Sequence, residues 1–337
     1  MATAFFSSAL LITFLSLLLQ VNAAFSDLEF HFYRDSCPQA EIVVKRIVAK
    51  HFQNDSSIPA GLLRLHFHDC FIRGCDASVL IDSEGENVAE KEAPPNLSLR
   101  GFEIIDDIKQ ELEKKCKGVV SCADILALAT RDGVALSGGS SYRLPTGRRD
   151  GTVSTMADVH IPGPSFSLDA ALTAFTNIGL DLDDLTTLLG AHAIGLCHCG
   201  FFVDRLYNFR GSGRPDPDLD VDLLNELKMK CPRPPANQVF NLSQDPTVFM
   251  NPSSNTNFKL DSAFYNSMLD GKSLLQLDQG LAYTDLTRQL ATRYVNEPKV
   301  FRKKFAKAMI KLGNVGVLTG EQGEVRLDCR RVNTRSN

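Results

Sequence analysis

The sequence predicts a mainly α-helical fold, and three observations support this prediction. Apolar side chains recur at intervals of three, four and seven residues along several segments. Strand-like alternation of apolar and polar residues is scarce. The Pro- and Gly-rich stretches between the helical segments are each too short to be a domain linker. We therefore expect one domain of about ten helices, with a longer irregular segment at residues 241–258.

Composition places the 337-residue chain among ordinary globular proteins. Hydrophobic residues make up 44% and charged residues 23%, which excludes a disordered, collagen-like or coiled-coil chain. The 36 basic and 40 acidic residues give a net charge of −4, so the charge balance indicates neither a nucleic-acid partner nor a membrane partner. The nine cysteines are a high and odd number for this length.

The first 24 residues predict export from the cell. They carry no charged side chain, and a long apolar run is followed by small residues. This pattern is typical of a secretory signal peptide, although the length nearly permits an uncleaved membrane anchor. We expect residues 1–23 to be the signal peptide and residues 24–337 to be the secreted domain, in which disulfides are permitted. Three sequons, at Asn54, Asn96 and Asn241, fit this route, and we expect Asn54 or Asn241 to carry a glycan.

Three apolar stripes identify the clearest helices. Their members are Val44, Ile47, Val48 and Phe52, then Ile104, Ile105, Ile108 and Leu112, then Leu185, Leu188 and Leu189. Glycines at 101 and 118 flank the second stripe, and acidic residues at 181–184 mark the N-terminus of the third.

Arg64 and His68 lie four residues apart in an otherwise apolar segment, so on a helix they share one face. Burying a charged guanidinium costs free energy, so a buried arginine is expected to bind an anion or to polarise a bound group. From the residues alone, a catalytic pair and a structural ion pair with Asp69 or Asp76 both stay open. The Asp69 carboxylate turns about a quarter-turn away from this face and belongs to a different site.

Oxygen-bearing groups follow around a loop that is pinched by Cys70 and Cys75, and Glu90 reaches in directly or through water. The candidate ligands are the side chains of Asp69, Asp76, Ser78 and Glu90 and the backbone carbonyls of Ile72 and Gly74. Such a set suits Ca²⁺, which prefers hard oxygen ligands. A solvated acidic turn is the alternative.

His192 continues the third stripe, between two glycines that leave room for close approach. It is either a core histidine or a ligand of a metal or macrocycle, which requires a carboxylate partner on its other ring nitrogen. The Cys-His-Cys run at 197–199 suggests zinc, but no second ligand cluster lies at zinc spacing.

Two longer motifs resemble the signatures of the secretory plant haem peroxidases, the class III family. Residues 62–80, LLRLHFHDCFIRGCDASVL, resemble the distal signature, and residues 190–195, GAHAIG, resemble the proximal one. Further similarity extends over nearly the whole mature chain, from about Leu28 to Arg331. The resemblance implies a haem-peroxidase fold with haem b between a distal and a proximal half.

The resemblance implies a hydrogen-peroxide-dependent oxidoreductase (EC 1.11.1.7) that oxidises phenolic donors by single electrons in the cell wall or apoplast. It assigns His192 as the axial ligand of iron and Asp278 as the acceptor of that ligand's ring N–H. His68 acts on peroxide as base and then acid, and Arg64 stabilises the developing charge.

Three further roles follow from the same resemblance. Asn96 fixes the tautomer of His68, which implies that Asn96 is buried and its sequon unused. Phe67 walls the distal pocket. Pro162 lies beside the haem edge, where phenolic donors lose electrons.

The family's disulfide pairing accounts for eight of the nine cysteines. It implies the pairs Cys37–Cys116, Cys70–Cys75, Cys122–Cys329 and Cys199–Cys231. Cys197 is left over, and we expect a buried, inert thiol.

The chain departs from the family pattern at three positions. Tyr142 replaces the usual Trp, which changes packing alone. Around a second, proximal calcium site, Ala193 replaces Thr and Ser253 replaces Asp, while Thr256 and Asp261 remain as candidate ligands. Losing a hydroxyl and a carboxylate weakens a calcium site, so we expect the distal calcium to be bound and the proximal one to be weak or missing.

A non-catalytic, calcium-binding wall protein is the alternative function. The enzyme is favoured because the five implied catalytic and haem-binding residues are all present, namely Arg64, His68, Asn96, His192 and Asp278. We expect a monomer.

Overall fold

The computed structural model describes residues 28–235 and 241–334, so the predicted signal peptide lies outside the described residues. These residues form twelve α-helices, several 3₁₀ turns and one small sheet. The first six helices are α1 Ala40–Asn54, α2 Ile58–Ile72, α3 Phe102–Lys115, α4 Cys122–Leu136, α5 Leu168–Asn177 and α6 Leu182–Leu188. The others are α7 Val203–Tyr207, α8 Val221–Lys230, α9 Ala263–Leu269, α10 Gln276–Gly280, α11 Asp285–Asn296 and α12 Pro298–Leu312.

The mainly α prediction is confirmed, with two more helices than the ten or so expected. Two of the twelve, α7 and α10, have five residues each. Segments this short show too little of a 3.6-residue period to be recognised from the sequence. Among the described residues, no helix combines the length and the apolar character that crossing a membrane requires.

The first half of the molecule is built around α4. Helices α1, α2 and α3 all lie against it. The second predicted stripe is the buried face of α3, where Ile104, Ile105, Ile108 and Leu112 are fully buried. Ser121 caps α4 by accepting the backbone N–H of Asp124 at 3.1 Å, which satisfies one of the free donors at the helix start.

The second half packs α6, α9, α11 and α12 around a core of aromatic rings. Helix α6 begins with a capping box in which Asp181 and Asp184 accept each other's backbone N–H groups. The third apolar stripe runs on to His192, but the α-helix does not. The helix ends at Leu188, and the chain tightens into a 3₁₀ turn, Leu189–Ala193, that carries His192.

The four disulfides join the pairs that the resemblance implies: Cys37–Cys116, Cys70–Cys75, Cys122–Cys329 and Cys199–Cys231. Cys197 is a buried free cysteine. It lies on strand β1, Leu196–His198, which pairs antiparallel with β2, Thr247–Phe249. The segment predicted to be irregular therefore contributes one short strand. Tyr142 is partly buried and contacts the cores of both halves.

The C-terminal segment returns to the first half and closes the loop after α2. The Arg326 guanidinium donates to the carbonyls of Asp76 and Ala77, at 3.3 and 2.7 Å. At Gly74, φ is +104°, and a Cβ atom there meets the Gly316 carbonyl oxygen at 2.4 Å. Only glycine fits this position, because it tolerates a positive φ and leaves room for the second chain.

Candidate active site

His68 is a buried side chain of α2, held by one amide. Its Nδ1 lies 2.6 Å from Oδ1 of Asn96, and Nδ2 of Asn96 donates to the Glu90 carbonyl at 2.7 Å. Asn96 ends the 3₁₀ turn Pro94–Asn96 and is itself buried, as the resemblance implies. Because an amide oxygen only accepts hydrogen bonds, Nδ1 of His68 donates, which leaves the lone pair on Nε2.

The electrostatic surroundings keep His68 neutral. Burial lowers the pKa of His68 to about 3, and the nearby charge of Arg64 acts in the same direction, while the hydrogen bond with Asn96 opposes them. An imidazole with this pKa is unprotonated throughout the physiological range. His68 is therefore able to accept a proton at Nε2.

Arg64 makes no ion pair among the described residues, so the structural pairing with Asp69 or Asp76 is not observed. Its Nη1 donates to the Ser98 hydroxyl at 2.8 Å, and its Nη2 donates to the Pro95 carbonyl at 2.9 Å. Burial lowers the pKa of Arg64 to about 10, which leaves the side chain charged at neutral pH. The sequence motifs did not identify Ser98 or Pro95 as partners of Arg64.

His192 and Asp278 form the proximal pair. The Nδ1 atom of His192 lies 2.9 and 3.0 Å from the two carboxylate oxygens of Asp278, which is buried in α10. A carboxylate accepts from Nδ1–H, so Nε2 of His192 carries the lone pair that a metal ligand needs. The residues are 86 positions apart in the chain, and the fold brings them together.

The distal and proximal side chains both lie near Cys197. Burial raises the pKa of the Cys197 thiol to about 12. The charge of Arg64 opposes this rise and the charge of Asp278 adds to it, so both side chains lie near the thiol. Nearby, Gly195 has a φ of +104°, and a Cβ atom there meets Cβ of Ala60 in α2 at 2.9 Å. An imidazole with a buried carboxylate partner, together with the neutral imidazole of His68 and a guanidinium, is the donor set that a catalytic haem requires. The residues therefore fit haem.

Phe67 lies on α2 and Pro162 on a separate, irregular segment. The Phe67 ring contacts those of Phe71 and His68, with centroids 4.3 and 5.8 Å away. Pro162 is half-buried in the irregular segment before α5. Two residues later, the Pro164 carbonyl accepts the backbone N–H of Leu277 at 3.1 Å, which ties this segment to the helix that carries Asp278.

The predicted distal calcium ligands form a buried acidic cluster. Asp69, Asp76, Ser78 and Glu90 are all buried. Asp69 Oδ2 accepts from the Ala77 backbone at 3.0 Å, and Ser78 donates to Glu90 Oε2 at 3.3 Å. Asp69 Oδ1 and Glu90 Oε1 are buried without a hydrogen-bond partner. Ile72 ends α2 immediately before this loop, and Gly74 lies within it.

Like charges and burial make this cluster unfavourable without a cation. Burial, with the charge of Asp76 adding to it, raises the pKa of Asp69 well above its usual range. Burial also raises the pKa of Glu90 to about 8, despite the Ser78 hydroxyl. Two orphaned carboxylate oxygens in a buried cluster fit Ca²⁺, which supplies the missing positive charge.

At the proximal position, where the sequence predicts weak or missing calcium, the candidate ligands hydrogen-bond to their neighbours. Ser253 is exposed, whereas Ser254 donates to Thr256 at 2.7 Å and Thr256 donates to Asp261 Oδ2 at 3.1 Å. The other oxygen of Asp261 accepts the Ala263 backbone N–H at 2.9 Å. A chain of hydroxyl groups and one backbone N–H thus satisfy the Asp261 carboxylate, and Ala193 offers no side-chain oxygen.

Among the described residues, the Cys-His-Cys run at 197–199 does not form a zinc site. Cys199 is bonded to Cys231, and His198 Nδ1 lies 3.1 Å from the Asp245 carbonyl. A thiol bound in a disulfide is not a zinc ligand.

Comparison with known proteins agrees with this geometry. A family profile described as Peroxidase matches residues 44–297. Peroxidase 57 of Arabidopsis thaliana is 45% identical over 97% of this chain and 98% of its own. Peroxidase 28 of Arabidopsis thaliana is 43% identical over 99% and 100%, and Peroxidase 5 of Vitis vinifera is 46% identical over 96% of both chains. The chain therefore belongs to the plant class III haem peroxidases, and it is a peroxidase oxidoreductase.

Proposed function

We propose that this peroxidase is a secreted, monomeric haem b enzyme that reduces hydrogen peroxide and oxidises small phenolic donors in the cell wall or apoplast. The observation that carries the proposal is the pair of fixed imidazoles, His68 on Asn96 and His192 on Asp278. Each ring has its Nδ1 hydrogen bonded and its Nε2 lone pair available, one for a proton and one for iron.

His192 would hold the haem through Nε2, and the bound haem would supply the redox chemistry that cleaves the O–O bond of peroxide. The Asp278 carboxylate increases the basicity of the His192 ring through Nδ1, which favours the oxidised metal.

On the distal side, His68 moves the proton. Its Nε2 takes a proton from peroxide and returns it to the departing oxygen, acting as base and then as acid. Arg64 stabilises the negative charge that develops on that oxygen. Asn96 keeps the His68 ring in the tautomer that this transfer needs.

The donor is expected at the exposed edge of the site, beside Pro162 and the wall formed by Phe67. Such a position suits small planar phenols that release single electrons. Two donor molecules, each losing one electron, would supply the two electrons that the reduction of one peroxide requires.

One calcium ion per chain is part of the proposal. Its ligands are the side chains of Asp69, Asp76, Ser78 and Glu90, with the carbonyls of Ile72 and Gly74. At the proximal position, the hydrogen-bond chain through Thr256 and Asp261 takes the place of a second ion.

Secretion is supported by the family and by the signal-like residues 1–23, which precede the proposed enzyme domain at 24–337. Asn54 and Asn241 are exposed and able to accept glycans. Asn96 is buried, and its side-chain oxygen is hydrogen-bonded to His68.

The test is the haem absorption of the purified enzyme after one equivalent of peroxide. The Soret band shifts to that of oxidised haem, and a phenol such as guaiacol returns it to the resting position. The H68A variant binds haem but undergoes the first shift about 10²- to 10⁴-fold more slowly.

The matched control is H51A, which removes a surface imidazole paired with Asp107 and reacts like the wild type. If H68A is as fast as the wild type, His68 has no role in proton transfer. A wild-type protein that binds haem and calcium but shows no shift is a calcium-binding protein without peroxidase chemistry.

A further inference from the structure

The segment 94–98 touches both distal side chains. Asn96 accepts from His68 at 2.6 Å, and two residues later the Ser98 hydroxyl accepts from Nη1 of Arg64 at 2.8 Å. The Pro95 carbonyl accepts from the other terminal nitrogen, Nη2, at 2.9 Å. One short turn thus contacts two groups that lie four residues apart on α2.

Arg64 depends on these neutral acceptors for its position. No carboxylate pairs with it among the described residues, and an arginine side chain that orders in one rotamer loses considerable conformational entropy. Because two different nitrogens each donate to a separate acceptor, the hydrogen bonds fix both the extension of the side chain and the plane of the guanidinium. Pro95 contributes through its backbone, so Ser98 is the one side chain that sets this position.

The same contacts explain why the sequon at Asn96 has no role as a glycan acceptor. Its two polar side chains, those of Asn96 and Ser98, are both engaged in the distal site. The tripeptide pattern therefore reflects two distal contacts and not a surface acceptor.

We propose that Ser98 is a positioning residue for Arg64, and that the 94–98 turn sets the distal histidine and the distal arginine together. This inference rests on the proposed role of Arg64 in peroxide cleavage. The Ser98 hydroxyl does not touch peroxide; it holds the guanidinium where negative charge develops.

The test compares S98A, S98T and L97A in the haem-loaded enzyme. Two quantities are measured: the rate of the peroxide-induced Soret shift, and the affinity of resting haem for fluoride, an anion that a cationic guanidinium stabilises. S98A lowers both by about tenfold, as expected for loss of a hydrogen bond to a charged group. S98T keeps the hydroxyl and restores both quantities. L97A, an exposed neighbour on the same turn, leaves both unchanged.

A double-mutant cycle with R64L separates positioning from structure. In the R64L background, S98A causes no further loss in rate or fluoride affinity, because the group that it positions is already gone. An equal loss in both backgrounds overturns the inference. So does an S98A enzyme with wild-type rate and fluoride affinity.

Failure of the inference is distinguishable from failure of the proposed function. If the wild type and S98A cleave peroxide equally well, the proposed function holds and Ser98 has no positioning role. If the wild type itself shows no shift, the proposed function fails, while fluoride binding still reports on the Ser98–Arg64 contact. Should S98A not bind haem, S98C, with a weakly accepting sulfur of similar size, replaces it.

Discussion

Asp278 receives the Nδ1 hydrogen of His192 almost equally through its two oxygens, at 2.9 and 3.0 Å. The carboxylate is buried, whereas the histidine side chain is 31% exposed. The buried member of the pair is therefore the anchor, and it fixes the ring that the proposed function assigns to iron.

Replacing Asp278 with Asn keeps the shape of the anchor and removes its charge. We expect D278N to bind haem about 10- to 100-fold more weakly, since partners of metal-ligating histidines have effects of this size. The reduction potential of the bound iron rises, because the ligand becomes less electron-rich. Titration of the apoprotein with haem and redox titration of the loaded protein measure the two effects. The control is D270N, an exposed Asp at the end of α9; equal affinities for D278N and D270N contradict the prediction.

Calcium removal is expected to lower the stability of the distal half. Metal analysis finds one calcium per chain, and a chelator lowers the unfolding temperature because the buried carboxylates of Asp69, Asp76 and Glu90 lose their counter-ion. E90Q weakens calcium binding, whereas E92Q, at an exposed position of the same 3₁₀ turn, does not. Two tightly bound ions per chain contradict the proposed loss of the proximal site.

The Cys197 thiol is expected to be unreactive in the folded protein. Burial raises the pKa of Cys197 to about 12, although the charge of Arg64 opposes this. The reactive thiolate is therefore scarce at pH 8, and rises only as the pH approaches the raised pKa. A thiol reagent at pH 8 labels no cysteine in the native protein and one after unfolding without reductant. Rapid labelling of the native protein shows the prediction to be wrong.

The disulfides are expected to differ in their contribution to stability. Cys122 and Cys329 are 207 residues apart, whereas Cys70 and Cys75 are 5 apart. In the chain-entropy account, the long link contributes about 5 kcal/mol and the short one about 2 kcal/mol to the free energy of unfolding. Urea unfolding of C122A/C329A and C70A/C75A measures the difference. A larger loss in C70A/C75A argues that the short link acts on the native state, through the calcium loop beside it.

The spacing of apolar residues predicts the long helices, because their apolar faces repeat over three or more turns. The four buried residues of α3 show this, since each recurs at helical spacing and each is fully buried. The same stripe does not show where α6 ends before His192, because α and 3₁₀ turns share i, i+3 neighbours.

The site required more than local pattern. Spacing placed Arg64 and His68 on one face, but it left their role open. Asp278 lies 86 residues from His192 and was assigned through family resemblance. Ser98 was missed, because its contact with Arg64 depends on how the 94–98 turn lies against α2. The sequon was the one signal that marked both Asn96 and Ser98.

The contacts of Arg326 with the carbonyls of Asp76 and Ala77 imply an order in which parts of the protein form during synthesis. A ribosome delivers the N-terminal residues first, so the acidic loop emerges about 250 residues before the arginine that closes it. Until residue 326 has been synthesised, the loop lacks these two hydrogen bonds, and the nearby Cys122–Cys329 disulfide needs residue 329 as well. If calcium binds as proposed, its stable binding is therefore expected only after residue 326 has been synthesised.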